Sequence, residues 1–329
     1  PRGAIGRMRF LLNLPRLGAQ LAAEIDAGGH DVVFCHPSFL VQAPEILPHL
    51  RTPSLYYAPE ALRTVYERVP FPAGARPRSL RAVLADLNLN PYERRRRTLD
   101  RSNVRAAPHI VTHSLFTADS LRSAYGVSAE VVPLGVDAST FSPGDRGLVD
   151  GSVLSVGALH PLKGHGFVID ALATVPLPRP RLVIVGDRGD LAPALRAHGA
   201  RRDVDVIVET GLPFDQLVER YRRAAVHACG QIREPFGLTA LEAMATATPV
   251  VAVDEGGFRE TVEHERTGLL APRDPEVFGA QIARVLAEPS LAERLGRTGR
   301  EAAVSEWTWD RTVAGFDALL ARIAVASKA

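Results

Sequence analysis

Short runs of β-branched and aliphatic residues alternate with helix-patterned segments along nearly the whole chain, and the alternation restarts after Pro143-Gly144-Asp145. Strands that each lead into a helix are the mark of βα units and parallel sheets. In the first series the pattern predicts a helix over Leu11–Ala27, weakened by Pro15 and ended by Gly28-Gly29. Strands follow at Asp31–His36 and Pro53–Ala58, then a loop rich in Pro, Gly and Arg from Val69 to Arg81. A charged helix over Leu84–Val104 precedes a strand at His109–Thr112, a helix from the N-cap Ser114 to Tyr125 and a short strand at Glu130–Pro133. The second series places strands at Val153–Val156, Leu182–Val185, Val204–Val208, Val226–Ala228 and Val250–Val253. Its helices fall near Phe167–Thr174, Leu191–His198, Phe214–Arg223, Leu238–Ala245, Pro275–Leu286 and Leu291–Ser305, with a terminal helix from Asp310 to about Ala326. The expected fold class is α/β, two Rossmann-like units with a ligand cleft beyond the carboxyl ends of the strands.

Composition narrows the function classes. At 329 residues the chain is long enough for two units, and 46% hydrophobic with 23% charged residues is the balance of a globular protein. A net charge of +2 argues against a nucleic-acid partner. Cys35 and Cys229 have no metal or redox spacing, and no run of 18 apolar residues or signal-peptide pattern occurs. The expected location is therefore the cytoplasm. The run Arg94–Arg97 reads first as a solvated helix face, with peripheral contact to an anionic membrane, at its inner face, as the minority reading. Only Lys163 and Lys328 are lysines, so 39 − 2 = 37 basic residues are arginine. A compact ammonium at position 163 suits a phosphate, although chance in an arginine-biased sequence explains it equally well.

The segment Glu234-Pro-Phe-Gly-Leu-Thr-Ala-Leu-Glu242 carries the most chemistry. Pro235 keeps Glu234 extended, and Gly237 opens a helix whose leading amides, Leu238 and Thr239, are predicted to face an anion. Glu242 follows about a turn and a half into that helix, and each carboxylate can accept from two neighbouring hydroxyls. A phosphate held between two hydroxyl-rich groups describes a sugar nucleotide; the plainer reading is an acidic helix start and a solvated glutamate. Val156-Gly-Ala-Leu-His-Pro-Leu-Lys163 follows a strand, with Gly157 allowing close backbone approach and Lys163 placed to neutralise a diphosphate leaving group. Gly256-Gly257 and Val185-Gly186-Asp187-Arg188-Gly189 are further strand-end turns, the latter a weak pointer to a nucleotide base pocket. No GxGxxG, P-loop or GxSxG is present, which lowers dinucleotide, ATPase and hydrolase readings, and the histidines show no metal-ligand spacing. His36 and His113 end first-series strands, where a structural role is the more common one.

Together these residues resemble the retaining glycosyltransferases of family 4, which have the GT-B fold. The resemblance covers Val153-Leu-Ser-Val-Gly157, Lys163-Gly164, Glu234-Pro-Phe-Gly-Leu238, Leu241-Glu-Ala-Met244, Pro249-Val-Val251, Gly256-Gly257 and Thr267-Gly-Leu-Leu270, in order. Gly135-Val-Asp137 resembles the signal before the interdomain crossover. The resemblance implies an acceptor domain over residues 1–142, a donor domain over 143–308 and a helix over 309–329 that returns to the first domain. It implies a catalytic pair of Glu234, on the donor sugar, and Lys163, on the diphosphate. Gly157, Phe236, Gly237, Leu238, Thr239 and Glu242 would bind substrate, Glu242 through the ribose hydroxyls. The implied reaction moves a sugar from a nucleotide-sugar donor, such as a UDP- or GDP-sugar, to a hydroxyl of a saccharide, lipid-linked or small-molecule acceptor, with retention and without metal or cofactor. Ala158 stands where the family often has Arg, and Tyr56-Tyr-Ala-Pro59 departs from its polar strand end. Arg9–His36 resembles the middle of the family's first domain, so the start of that domain is expected to be missing. The alternatives are a nucleotide-sugar-binding module without transfer and, less favoured, a sugar-nucleotide epimerase.

Overall fold

The computed structural model describes residues 3–66, 91–145 and 148–326. The chain divides into two compact units, Pro1–Pro133 with Val313–Ala329, and Leu134–Thr312.

The first unit runs α1 (Gly3–Ala27), β1 (Val33–Cys35), β2 (Ser54–Tyr57), α2 (Arg63–Tyr66), α3 (Pro91–Ala106), β3 (His109–Thr112), α4 (Leu115–Tyr125) and β4 (Glu130–Val131). Its described strands form one parallel sheet in the order β1-β2-β3-β4, with Val33 opposite Ser54, Leu55 opposite His109 and Val111 opposite Glu130. Neighbouring strand residues face opposite ways. Tyr56 packs with Cys35, Ile110, Leu121 and Tyr125 on one face, while Leu55 joins Val111 and Val132 on the other. Ser114 caps α4 by accepting from the Thr117 amide at 3.0 Å, and Gly126 ends it in the left-handed region.

Two expectations change here. Helix α1 begins at Gly3 and carries Pro15 in its interior. An internal proline costs about 3 kcal/mol. Burial of Leu11 against Val41 and Leu99, and of Ala22, offsets that cost. Of the Arg94–Arg97 run on α3, only Arg94 is exposed and the other three are half-buried; Arg96 donates to the Leu40 carbonyl at 2.5 Å, and Arg97 lies over the Tyr66 ring. The buried Asp100 on the same helix accepts from the Ala43 amide at 3.1 Å and the Tyr125 hydroxyl at 2.6 Å. The loop expected over 69–81 and the first turns of the helix expected from 84 lie outside the described residues.

The second unit runs β5 (Val153–Val156), α5 (His165–Leu172), β6 (Leu182–Val185), α6 (Ala192–Arg201), β7 (Val206–Glu209), α7 (Phe214–Arg223), β8 (Val226–Cys229), α8 (Leu238–Ala245), β9 (Val250–Val253), α9 (Phe258–Thr261), β10 (Leu269–Ala271), α10 (Pro275–Ala287), α11 (Pro289–Ser305) and the start of α12 (Trp309–Ala326). The strand order is β10-β9-β8-β5-β6-β7, all parallel. Strands β5, β6, β8 and β9 are buried at every position, as a sheet covered on both faces requires. The order reverses between β5 and β8, and ligands of such sheets sit outside the carboxyl ends at that switch point. Strand β10, only three residues long, was not among the expected strands.

From Val313 onward α12 belongs to the first unit, where Leu319 and Ile323 cover Leu55, Val111 and Val132. Arg322 also pairs with Glu130, 192 residues away in sequence.

Candidate functional site

The loops after β5 and β8, the two strands flanking the switch point, meet in the second unit. After β5 the chain turns through Gly157, and a 3₁₀ turn over Pro161–Lys163 ends at Gly164 in the left-handed region. Gly164 is required there, because a Cβ would lie 1.7 Å from the Gly230 carbonyl oxygen of the β8 loop. His165 fixes the first loop from below. Its Nδ1 lies 2.9 Å from Ser155 Oγ and its Nε2 3.2 Å from the Gly157 carbonyl oxygen. Burial lowers its pKa to about 4, so the ring is neutral and Nε2–H donates to Gly157 while Nδ1 accepts from Ser155.

This junction brings Lys163 and Glu234 together across 71 residues of sequence, Nζ donating to Oε2 at 2.8 Å. The lysine stem lies against Gly157, where an added Cβ would stand 3.2 Å from Lys163 Cγ. The turn after β9 holds the Glu234 segment in place. The Gly257 amide donates to the Glu234 carbonyl at 2.7 Å, and side chains at Gly256 or Gly257 would strike the backbone of Glu234 or Phe236. Arg273, just beyond β10, holds the loop from the other side. It donates to the Gly230 carbonyl at 2.9 Å and the Gln231 carbonyl at 2.7 Å, and pairs with both oxygens of Glu255 at 2.8 and 2.9 Å. Glu255 in turn accepts from the Arg233 amide.

Gly237, at φ +104, starts α8 with no side-chain cap, so the amides of Leu238 and Thr239 head the helix without one. The leucine side chain is exposed. Thr239 Oγ1 accepts from Gln231 Nε2 at 3.3 Å, whereas Gln231 Oε1 is buried with no partner among the described residues. The Phe236 ring turns into the core against Trp307, so only its backbone faces this loop's surroundings. Glu242, on the second turn of α8, accepts at Oε2 from the Tyr221 hydroxyl at 2.6 Å. Burial raises the Glu242 pKa to about 7, and the tyrosine bond only partly opposes the shift.

A cavity of about 320 Å³ adjoins Gly157. Its walls are Val156–Ala158, Val185–Asp187, Gly211 and Leu212, with Phe214 and Leu217 from α7. The two loops touch backbone to backbone, since a Cβ on Gly186 would lie 2.1 Å from the Gly157 carbonyl oxygen. The cavity therefore stands at the turn that the sequence singled out after β6. Ala158 brings no cation to it. His36 and His113 lie in the first unit; His113 is buried and its pKa is lowered to about 4 by desolvation, while His36 stacks edge-on with Phe34. Among the described residues no group of three or more His, Cys, Asp or Glu side chains gathers as a metal site, and no helix is long and apolar enough to cross a membrane.

Tyr221, Arg273, His165 and Gln231 were not picked out from the sequence. Each acts on the motif from a different element, and only Tyr221 carries a signal, its i+4 and i+7 spacing from Leu217 and Phe214 on one helix face.

The chain is 39% identical over 238 residues to the D-inositol 3-phosphate glycosyltransferase of Acidothermus cellulolyticus, covering 65% of this chain and 53% of that one. It is 31% identical over 232 residues to the MMP alpha-(1->4)-mannosyltransferase of Mycolicibacterium hassiacum, covering 67% of this chain and 56% of that one. The chain thus spans about half the length of the curated relatives it matches. Among solved structures, sucrose-phosphate synthase from Thermosynechococcus elongatus superposes with a TM-score of 0.76 at 23% identity, over 97% of this chain and 80% of that one. Anabaena Alr3699/HepE in complex with UDP and glucose superposes with a TM-score of 0.68 at 19% identity, over 94% and 82%. Both are likenesses of fold, and the architecture is GT-B. Residues 149–302, most of the second unit, match the family described as Glycosyl transferases group 1.

Proposed function

We propose that this chain transfers a sugar from a nucleoside diphosphate sugar to an acceptor hydroxyl, with retained anomeric configuration and without metal. The observation that carries the reading is the Lys163–Glu234 pair beside an uncapped helix start at the switch point of the second sheet. The diphosphate would lie on the amides of Leu238 and Thr239 with Lys163 beside it, where dipole and ammonium offset its charge. Glu242 would accept from the ribose hydroxyls, and the cavity beside Gly157 would take the base. Glu234, released from Lys163 as the phosphates arrive, would accept from hydroxyls of the donor sugar. In the transfer the bond from the anomeric carbon to the phosphate oxygen breaks and a bond to the acceptor oxygen forms. The acceptor's proton passes to the departing phosphate on the same face. Lys163 and the helix start stabilise the charge that develops there.

The acceptor is a saccharide, a lipid-linked sugar or a small molecule, and the reaction belongs in the cytoplasm or at the inner face of a membrane. Anabaena Alr3699/HepE, similar in fold, has been solved with UDP and with UDP-glucose, which makes UDP the first nucleotide to try. Calorimetric titration with UDP, GDP and ADP tests the reading. One nucleotide should bind, and Glu242→Ala should weaken it at least about tenfold, or 1.4 kcal/mol. A folded chain that binds none of the three refutes it. The second reading is a nucleotide-sugar-binding module. It predicts donor binding with no transfer to any acceptor offered.

A further inference from the structure

Glu242 is served by a residue on another helix. Tyr221 is fully buried and donates its hydroxyl to Glu242 Oε2 at 2.6 Å; among the described residues the other carboxylate oxygen has no protein donor. Three side chains, through five hydrogen bonds, fix the tyrosine on α7. Thr248 Oγ1 donates to its carbonyl at 2.6 Å. The residue before it, Arg220, holds both carboxylate oxygens of Glu209 at the end of β7, and the residue after it, Arg222, holds Ser142 by carbonyl and hydroxyl at 2.8 Å. The ring packs edge-on against Phe141 and His227. Phe214 and Leu217, which wall the cavity beside Gly157, lie two turns and one turn earlier, respectively, on the same face of α7.

We propose that Tyr221 is a positioning residue for nucleoside recognition: it pins one oxygen of Glu242 so that the other is presented to the ribose hydroxyls, while its own helix walls the space for the base. The proposal rests on the reading that Glu242 is the ribose acceptor. One helix face then sets the distance between base and ribose contacts. The hydrogen bond also favours the ionised carboxylate, the form that accepts from two hydroxyls. The other titratable groups around the pair do not interfere near neutral pH. Burial pushes the Cys229 thiol far up, and it lowers His227 to about 3.

The test is Tyr221→Phe, which keeps the ring and removes the hydroxyl, titrated with UDP and with 2′,3′-dideoxy-UDP from pH 6 to 9. GDP or ADP, with its dideoxy form, replaces UDP if wild type prefers that base. The expected result is about tenfold weaker binding of the ribonucleotide at pH 7. Binding of the dideoxy nucleotide should be unchanged, and the pH at which ribonucleotide binding rises should move upward. The phosphate of the nucleotide titrates alike in every arm. A merely structural role would weaken both nucleotides together, and that result overturns the proposal, as does wild-type binding by Tyr221→Phe. Glu242→Gln is the second variant, for use if Tyr221→Phe fails to fold. It should weaken the ribonucleotide, spare the dideoxy form and abolish the protein-dependent part of the pH profile; equal loss of both nucleotides again overturns the proposal. If folded wild type binds no nucleotide, the reading of Glu242 itself fails and takes this proposal with it; if wild type binds and only the tyrosine effect is missing, the reading stands alone.

Discussion

Lys163 and Glu234 form a direct ion pair, 2.8 Å from Nζ to Oε2, with both side chains largely covered. The pair neutralises the ammonium, and in the proposed reading an arriving phosphate would take the place of Glu234 beside it. Lys163→Ala should therefore weaken nucleoside diphosphate binding by about 2 kcal/mol, roughly 30-fold, and leave binding of the parent nucleoside nearly unchanged. Parallel titrations with the two ligands check this; equal weakening of both would assign Lys163 to holding the fold.

Glu242 gives the molecule a pH dependence whose sign can be worked out. Its pKa of about 7 in the free protein lies above the ordinary 4.5, so the fold is favoured by the protonated form. That contribution is fully present below about pH 4.5 and is lost as the pH rises through about 7. The loss is on the order of 3 kcal/mol. Glu242→Gln should melt above wild type at pH 8 and alongside it at pH 4, read by calorimetry. Ligand binding runs the other way, because ribose hydroxyls donate to the ionised form, so nucleotide affinity should fall as the pH drops below 7.

Gly164 and Gly230 set the approach of the two site loops. Gly164→Ala puts a methyl group 1.7 Å from a carbonyl oxygen at a backbone φ of +67. A loss of about 3 kcal/mol, or roughly 10 °C in Tm, is expected. A variant that melts with wild type would show that the loops separate freely.

Arg273 is expected to tolerate no replacement by lysine. Its guanidinium serves two carbonyls and a bidentate carboxylate at once, and it lies over the Phe167 ring. A single ammonium lacks that planar fork. Arg273→Lys should raise protease cleavage within residues 230–236 and weaken nucleotide binding by about 2 kcal/mol. Unchanged cleavage would show that the Gly256-Gly257 turn alone secures the segment.

The local chemistry of this protein was written locally. Lys163, Gly237, Leu238, Thr239 and Glu242 stand out because a strand end, a glycine and a helix start fall within a few residues of one another. Strand positions in the second unit were equally legible, since buried parallel strands are near-continuous runs such as Leu182–Val185. Tyr221 and Arg273 were not, because their roles exist only once α7 and the residue after β10 are folded onto the loops they hold. The helix through Pro15 was legible but its start at Gly3 was not: a proline's local cost is visible in sequence, whereas the contacts of Leu11 with Val41 and Leu99 that outweigh it are not. The three residues of β10 are too few to show a period.

Helix α12 has a consequence for the order in which the molecule is made. The sheet face carrying Leu55, Val111 and Val132 is covered by Leu319 and Ile323, which are synthesised only after the entire second unit. Once the chain as far as Pro133 has left the ribosome, the sheet it forms still has one apolar face bare. The second unit, drawn from one unbroken stretch, meets no such delay. Nascent chains of this protein should then become protease-resistant in the reverse of their order of synthesis, with the first unit the one exposed to chaperones and to its own kind in the interval.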